Sequence, residues 1–83
     1  MVKIVKTGIV VLNYNDAEET VKFVNDINNY DVVNQIVVVD NGSTDDSLSQ
    51  LEKIENIKLI ALENNLGYAA GNNAGLRYLY EHN

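Results

Sequence analysis

The chain has 83 residues and a formal net charge of −6, with 12 acidic against 6 basic side chains, so it lacks the basic face that a nucleic-acid backbone requires. It contains no Cys, which excludes disulfides and thiolate metal sites and leaves the composition compatible with the cytosol. No apolar run reaches the length of a membrane span, and a chain of this size buries only a modest core.

Lys3 to Tyr14 reads as a first strand, with Ile9, Val10, Val11 and Leu12 as its apolar centre and Asn13, Tyr14 and Asn15 at its carboxyl end. Asp16 with Glu19 three residues later has the pattern of a capping box, and a helix is predicted from Ala17 to about Asn28. Ala17, Val21, Val24 and Ile27 form its apolar stripe, and Asn28 and Asn29 suit its end. A second strand is predicted from about Gln35 to Asp40. The following helix carries Leu48, Leu51 and Ile54 on one face and ends near Asn56. Ile57 to Leu62 reads as a third strand with Lys58 exposed, and Glu63 to Gly67 as a turn. A last helix is predicted over Ala70 to Glu81, on which Tyr78 and Tyr80 cannot both face the sheet. The order β-α-β-α-β-α implies an α/β fold, a Rossmann-like parallel sheet with helices on both faces, and the first strand is expected to lie interior.

The stretch IVVVDNGSTDDS, Ile36 to Ser47, organises this pattern. Four consecutive apolar residues suit a strand covered on both faces. They stop at Asp40, Asn41 and Gly42, and Ser43 to Asp46 suit the start of a helix. Ligands of open α/β sheets sit at the carboxyl ends of strands, so the turns after the first and second strands mark a candidate site. Each of Asp16, Asp40 and Ser43 taken singly is more economically a cap or turn former; the two turns together favour a site. Asp46 reads as structural, because a helix start favours acids whatever the function, and Asp45 stays open between the two readings. NNLGYAAGNNAGL, Asn64 to Leu76, supplies a third signal, with Gly67, Gly71 and Gly75 at every fourth position. Such small residues either bring backbone close to a diphosphate or pack a helix tightly on the sheet through Gly71, Ala74 and Gly75. Neither GxxxxGK[ST] nor GxGxxG is present. Lys6 and Arg77 are the cations to consider for phosphate, each otherwise a surface charge, and His82 reads as solvated.

Taken together, VVLNYN, VVVDNGSTDDS and ENNLGYAAGNNAGL resemble the start of the family 2 glycosyltransferases of the GT-A (nucleotide-diphospho-sugar transferase) fold, in particular the rhamnosyltransferase-like branch. The resemblance runs from about Gly8 to Tyr80. It implies an inverting glycosyltransferase of cell-surface polysaccharide or glycan synthesis, taking a UDP- or dTDP-sugar donor and a glycan or lipid-linked acceptor. It also implies a cytoplasmic location, peripheral to the inner face of the cell membrane. By the same resemblance, Asn13, Tyr14 and Asn15 line the base pocket and Asp40 supports it. Asn41 takes the place of an Asp that contacts the base in relatives, which changes a donor–acceptor edge. Asn65, Gly67 and Asn72 lie near ribose and diphosphate, with Asn72 where relatives often carry Arg. The divalent metal (Mg or Mn) of the family, its DxD-type ligands and the catalytic base are expected outside residues 1–83, so no catalytic residue is assigned.

The element order reads as the amino-terminal part of a larger domain, which the resemblance implies is its nucleotide-sugar-binding part, inactive alone, with an open first-strand edge that pairs copies into a homo-oligomer unless Met1 to Lys6 covers it. The competing reading is a non-catalytic α/β interaction or dimerisation module. A receiver-like signalling domain is disfavoured, because its acidic pair should stand where Asn13 to Asn15 stand.

Overall fold

The structure is a computed structural model that describes residues 7–30 and 33–82. The strand predicted to start at Lys3, Lys6 as a phosphate cation and the covering of an edge by Met1 to Lys6 lie outside these residues. The elements are β1 (Thr7–Asn13), α1 (Ala17–Ile27), β2 (Val33–Asn41), α2 (Ser47–Leu51), β3 (Lys58–Leu62) and α3 (Tyr68–His82). The strands form one parallel sheet in the order β1-β2-β3.

β2 is therefore the central strand, and the expectation that β1 lies interior is not met among the described strands. The packing gives the reason. Right-handed crossovers that step twice in one direction place both connecting helices on one face. Ala17, Val24 and Ile27 of α1 and Leu51 of α2 share one core with Ile36 and Val38. α3 lies on the other face, where Leu79 packs with Val37 and Val39. Every residue of β2 from Ile36 to Asn41 is buried, which is why its apolar run does not alternate. Ile9 to Leu12, on the edge strand, are only half-buried. Burying each of the fully enclosed side chains Val24, Val37, Val38, Val39 and Leu51 contributes about 1.5–3 kcal/mol relative to exposure.

Local differences from the sequence expectation follow from hydrogen bonding. α2 is one short helix rather than a helix reaching Asn56. Beyond it, Lys53 N–H donates to the Gln50 carbonyl at 3.2 Å and Ile54 N–H to the Leu51 carbonyl at 3.1 Å. These tight bonds end the helix yet still deliver Ile54 to the core. Asp16 precedes α1 but makes no side-chain cap, so the expected capping box with Glu19 does not form; its carbonyl accepts from Thr20 N–H at 3.1 Å. The stripe of α1 packs as expected, with Val21 half-buried against the same core as Ala17, Val24 and Ile27, and Thr20 is buried beside it. α3 begins two residues earlier than expected, because Gly71 N–H reaches the Gly67 carbonyl at 3.2 Å. Its small residues pack on the sheet: a Cβ at Gly75 would stand 2.5 Å from Val10 Cγ1, and one at Gly71 would stand 2.9 Å from Leu12 Cδ2. Tyr78 is half-buried and Tyr80 exposed, as the helical period requires.

Candidate functional site

The parallel register sets Asn13 opposite Asp40, so the turns after β1 and β2 emerge side by side at the carboxyl edge. A buried polar network joins them. Asn13 is 1% exposed; its Nδ2 donates to Asp40 Oδ1 at 3.0 Å and to Ser43 Oγ at 3.3 Å, and its Oδ1 accepts from Thr20 Oγ1 at 2.7 Å. Asp40, also buried, accepts from the Ser43 hydroxyl on Oδ1 and from Ser43 N–H on Oδ2. Asn13, Thr20 and Asp40, the buried members of this network, thus each have a partner, as a low local dielectric favours.

Asn15 ties the same turns together from outside. It adopts φ 52°, a left-handed conformation that Asn tolerates better than most residues. Its N–H donates to Ser43 Oγ at 3.0 Å, its Oδ1 accepts from Thr44 N–H at 2.8 Å and Asp45 N–H at 3.2 Å, and its Nδ2 donates to Thr44 Oγ1 at 3.2 Å. Asp45 closes a local turn by accepting Ser47 N–H at 2.8 Å. The Ser47 hydroxyl and then the Ser47 N–H hold the Asp45 carboxyl below its ordinary value of 3.8. Of these two groups only the N–H meets hydrogen-bond geometry, and among the described residues the buried Ser47 hydroxyl has no hydrogen-bond partner.

The third wall is the segment between β3 and α3. Asn41, 4% exposed at the end of β2, reaches across to it. Its Oδ1 accepts from Leu66 N–H at 3.4 Å and its Nδ2 donates to the Gly67 carbonyl at 3.3 Å. Gly42, at φ +74°, lies against the same segment so closely that a Cβ would meet the Asn64 carbonyl carbon at 2.4 Å. Asn65 Oδ1 accepts Gly67 N–H at 2.9 Å and fixes the turn into the helix.

These three segments surround an open cleft of about 420 Å³ lined by Leu12, Asn13, Tyr14, Asp16, Asn41, Asn65, Gly67 and Tyr68. Of the residues expected from sequence, Asn13, Tyr14, Asn41, Asn65 and Gly67 line it. Asp40 and Asn15 stand behind it in the supporting network. Asn72 is exposed on α3 and does not line it. Arg77 is likewise exposed, away from the cleft-lining residues. Sequence reasoning missed Tyr68, Asp16 as a lining residue, and Thr20 as a network member. The readable signal for Thr20 was a polar residue on the apolar stripe of α1; for Tyr68 it was an aromatic ring directly after the Gly that ends the turn. Tyr14 and Tyr68, 45% and 79% exposed, place two aromatic rings at a cleft whose other lining residues, apart from Leu12 and Gly67, are polar.

Among the described residues no three His, Cys, Asp or Glu side chains come together in a metal-holding group, and no step is assigned to a metal ion. No helix among the described residues is long and apolar enough to cross a membrane.

No curated protein matches the chain. Residues 8–81 match the sequence profile of the family described as Glycosyl transferase family 2, a span that takes in the core of β1, the cleft and nearly all of α3. The chain belongs to glycosyl transferase family 2, whose general chemistry joins a nucleotide-sugar donor and an acceptor.

Proposed function

We propose that the cleft holds the nucleotide of a UDP- or dTDP-sugar donor, in an inverting transferase of the rhamnosyltransferase-like branch that builds cell-surface polysaccharide or glycan. The observation that carries this reading is the convergence of the β1 turn, the β2 turn and the 64–67 segment on one cleft with two Tyr rings and polar walls. A planar base is bound by stacking and edge hydrogen bonds, and such a cleft offers both. Tyr14 and Tyr68 supply the faces. Asn65 and Asp16 supply polar edges for base and ribose, and Gly67 leaves room beside them. Asn13 and Asn41 in the lining, with Asn15 and Asp40 behind it, hold the walls in register.

In the reaction, an acceptor hydroxyl attacks the sugar carbon and the nucleoside diphosphate leaves with its bonding electrons. A base must take the hydroxyl proton and a cation must stabilise the leaving group, in this family Mg or Mn. Residues 1–83 bind and orient the donor, and they transfer no sugar alone. The working location in this reading is the cytoplasm, at the inner face of the membrane, where a glycan or lipid-linked acceptor is met.

NMR titration with UDP and with dTDP tests the reading. The amides of Tyr14, Asn65, Gly67 and Tyr68 should shift first and saturably with one or both nucleotides. Uniform silence at millimolar nucleotide would favour a second reading, a non-catalytic module that pairs copies through a sheet edge. That reading has its own supporting observation: β1 and β3 each have a neighbour on one side only among the described strands. Light scattering over a concentration series distinguishes it.

A further inference from the structure

Asn41 does two things at once that only a neutral amide does: it accepts from Leu66 N–H and donates to the Gly67 carbonyl. Both groups belong to neighbouring residues, of which Gly67 lines the cleft, and the Gly67 carbonyl also accepts the first helical bond of α3, from Gly71 N–H. The amide is enclosed. It is buried at the end of β2, and a Cβ on Gly71 would lie 3.6 Å from its Nδ2. Gly42, the next residue, sets its Cα against the Asn64–Asn65 peptide. The end of β2 therefore meets the 64–67 segment at two successive points, one steric and one by hydrogen bonds. Of the two, the hydrogen bonds depend on the chemistry of a side chain.

We propose that Asn41 is a positioning residue for nucleotide binding: its amide latches the 64–67 segment to the sheet, and so sets where Gly67 and Tyr68 stand in the cleft. The proposal rests on the reading of the cleft as a nucleotide site and adds to it the residue that fixes the width. A carboxylate at this position keeps the acceptor for Leu66 N–H but turns a second acceptor against the Gly67 carbonyl. Two oxygens that both accept repel at this distance in a buried setting. The segment then moves off β2 and takes Tyr68 with it. Protonating that carboxyl restores one donor and one acceptor, and the latch re-forms. Asn41→Asp is thus a variant whose defect reverses with acid, whereas loss of volume or of helix packing would not reverse.

The test measures UDP and dTDP affinity of wild type and Asn41→Asp between pH 8 and pH 5, with far-UV CD at each pH to keep the comparison within the folded protein. The range stays above the sequence pI of about 4.4. The other titratable groups of the cleft are Tyr14, Asp16 and Tyr68, and Asp40 stands next to position 41 on β2 in its own network. All four are common to both proteins, so the ratio of the two affinities isolates position 41. At pH 8 the variant should bind at least about tenfold more weakly, and the ratio should close as pH falls. Hydrogen exchange in the free protein reads the latch without any ligand. The protection of Gly71 N–H, whose acceptor is the Gly67 carbonyl, should fall about tenfold in the variant at pH 8 and recover with acid. Equal affinities at every pH, or weakened binding that acid does not restore in a folded variant, overturn the proposal. If wild type binds neither nucleotide, the cleft reading fails instead, and the exchange result alone decides the latch: acid-reversible loss of Gly71 protection upholds it, and unchanged protection ends it.

Discussion

Gly42→Ala is the perturbation that most directly probes how the cleft is built. Gly42 adopts φ +74°, where a side chain costs about 1–2 kcal/mol. Its added Cβ would also stand 2.4 Å from the Asn64 carbonyl carbon and 2.5 Å from the Asn65 nitrogen. Both are backbone atoms, so no rotamer change relieves the contact; the 64–67 segment itself must retreat. Forcing a close-packed contact apart costs about 1–3 kcal/mol. The retreat also stretches the Asn41 bonds to Leu66 and Gly67, which already measure 3.4 and 3.3 Å and so add little. The total is about 2–5 kcal/mol, against roughly 4–12 kcal/mol for the whole stability of a domain this size. Gly67→Ala is the matched control. Gly67 has φ +87° but nothing within 4 Å of the new Cβ, so it pays the conformational cost alone. Urea unfolding followed by far-UV CD should place Gly42→Ala below Gly67→Ala by about 1–3 kcal/mol, a midpoint difference of about 1 M or more. Equal midpoints for the two variants would refute the claim that the β2 turn and the 64–67 segment are in steric contact.

Thr20→Val should lower stability by about 1–3 kcal/mol in the same assay, although it adds a methyl to an apolar stripe, because it strands the buried Asn13 Oδ1 without its donor; a neutral or stabilising result would show that the network is not worth its burial. Asp45 has its carboxyl held below 3.8 by Ser47, so its contribution is complete above that value and is lost as pH falls through its lower folded value. Asp45→Asn should therefore flatten the fall in stability below pH 3.8 and leave its slope at neutral pH unchanged; an unaltered acid limb would count against the Asp45–Ser47 turn.

The parts of the fold that were legible in sequence are those where one residue type has one physical consequence. A run such as Ile36 to Val39 has no polar side, so it must be covered twice, and it became the central strand. Gly71 and Gly75 could have faced a ligand or the sheet, and their spacing alone did not choose. The choice was made by Leu12 and Val10, whose side chains fill the space a Cβ would need. The edge position of β1 was not legible because strand order depends on the direction of each crossover, which the sequence of a strand does not carry. The cleft was legible as a place, since polar turns after buried strands converge at one sheet edge. The roles within it were not. Asn13, Asn15, Asp40 and Asn41 carry the chemistry that suggests a reader of bases, yet the network commits their side-chain groups to one another and to neighbouring backbone. Whether a polar side chain is free or committed depends on partners tens of residues away.

That commitment changes how recognition at this cleft has to be understood. A side chain enclosed by its own partners gains little by exchanging them for a ligand's groups, since one hydrogen bond is traded for another at a cost in reorganisation. The lining groups without that encumbrance are the rings of Tyr14 and Tyr68 and the carboxyl of Asp16, since Gly67 spends its N–H on Asn65 and its carbonyl on Asn41 and Gly71. Rings read the shape and plane of a ligand better than the pattern on its edge. On the proposed nucleotide reading, discrimination depends on how far Tyr68 stands from Tyr14, and Asn41 and Gly42, which meet the 64–67 segment, are the residues that set that distance.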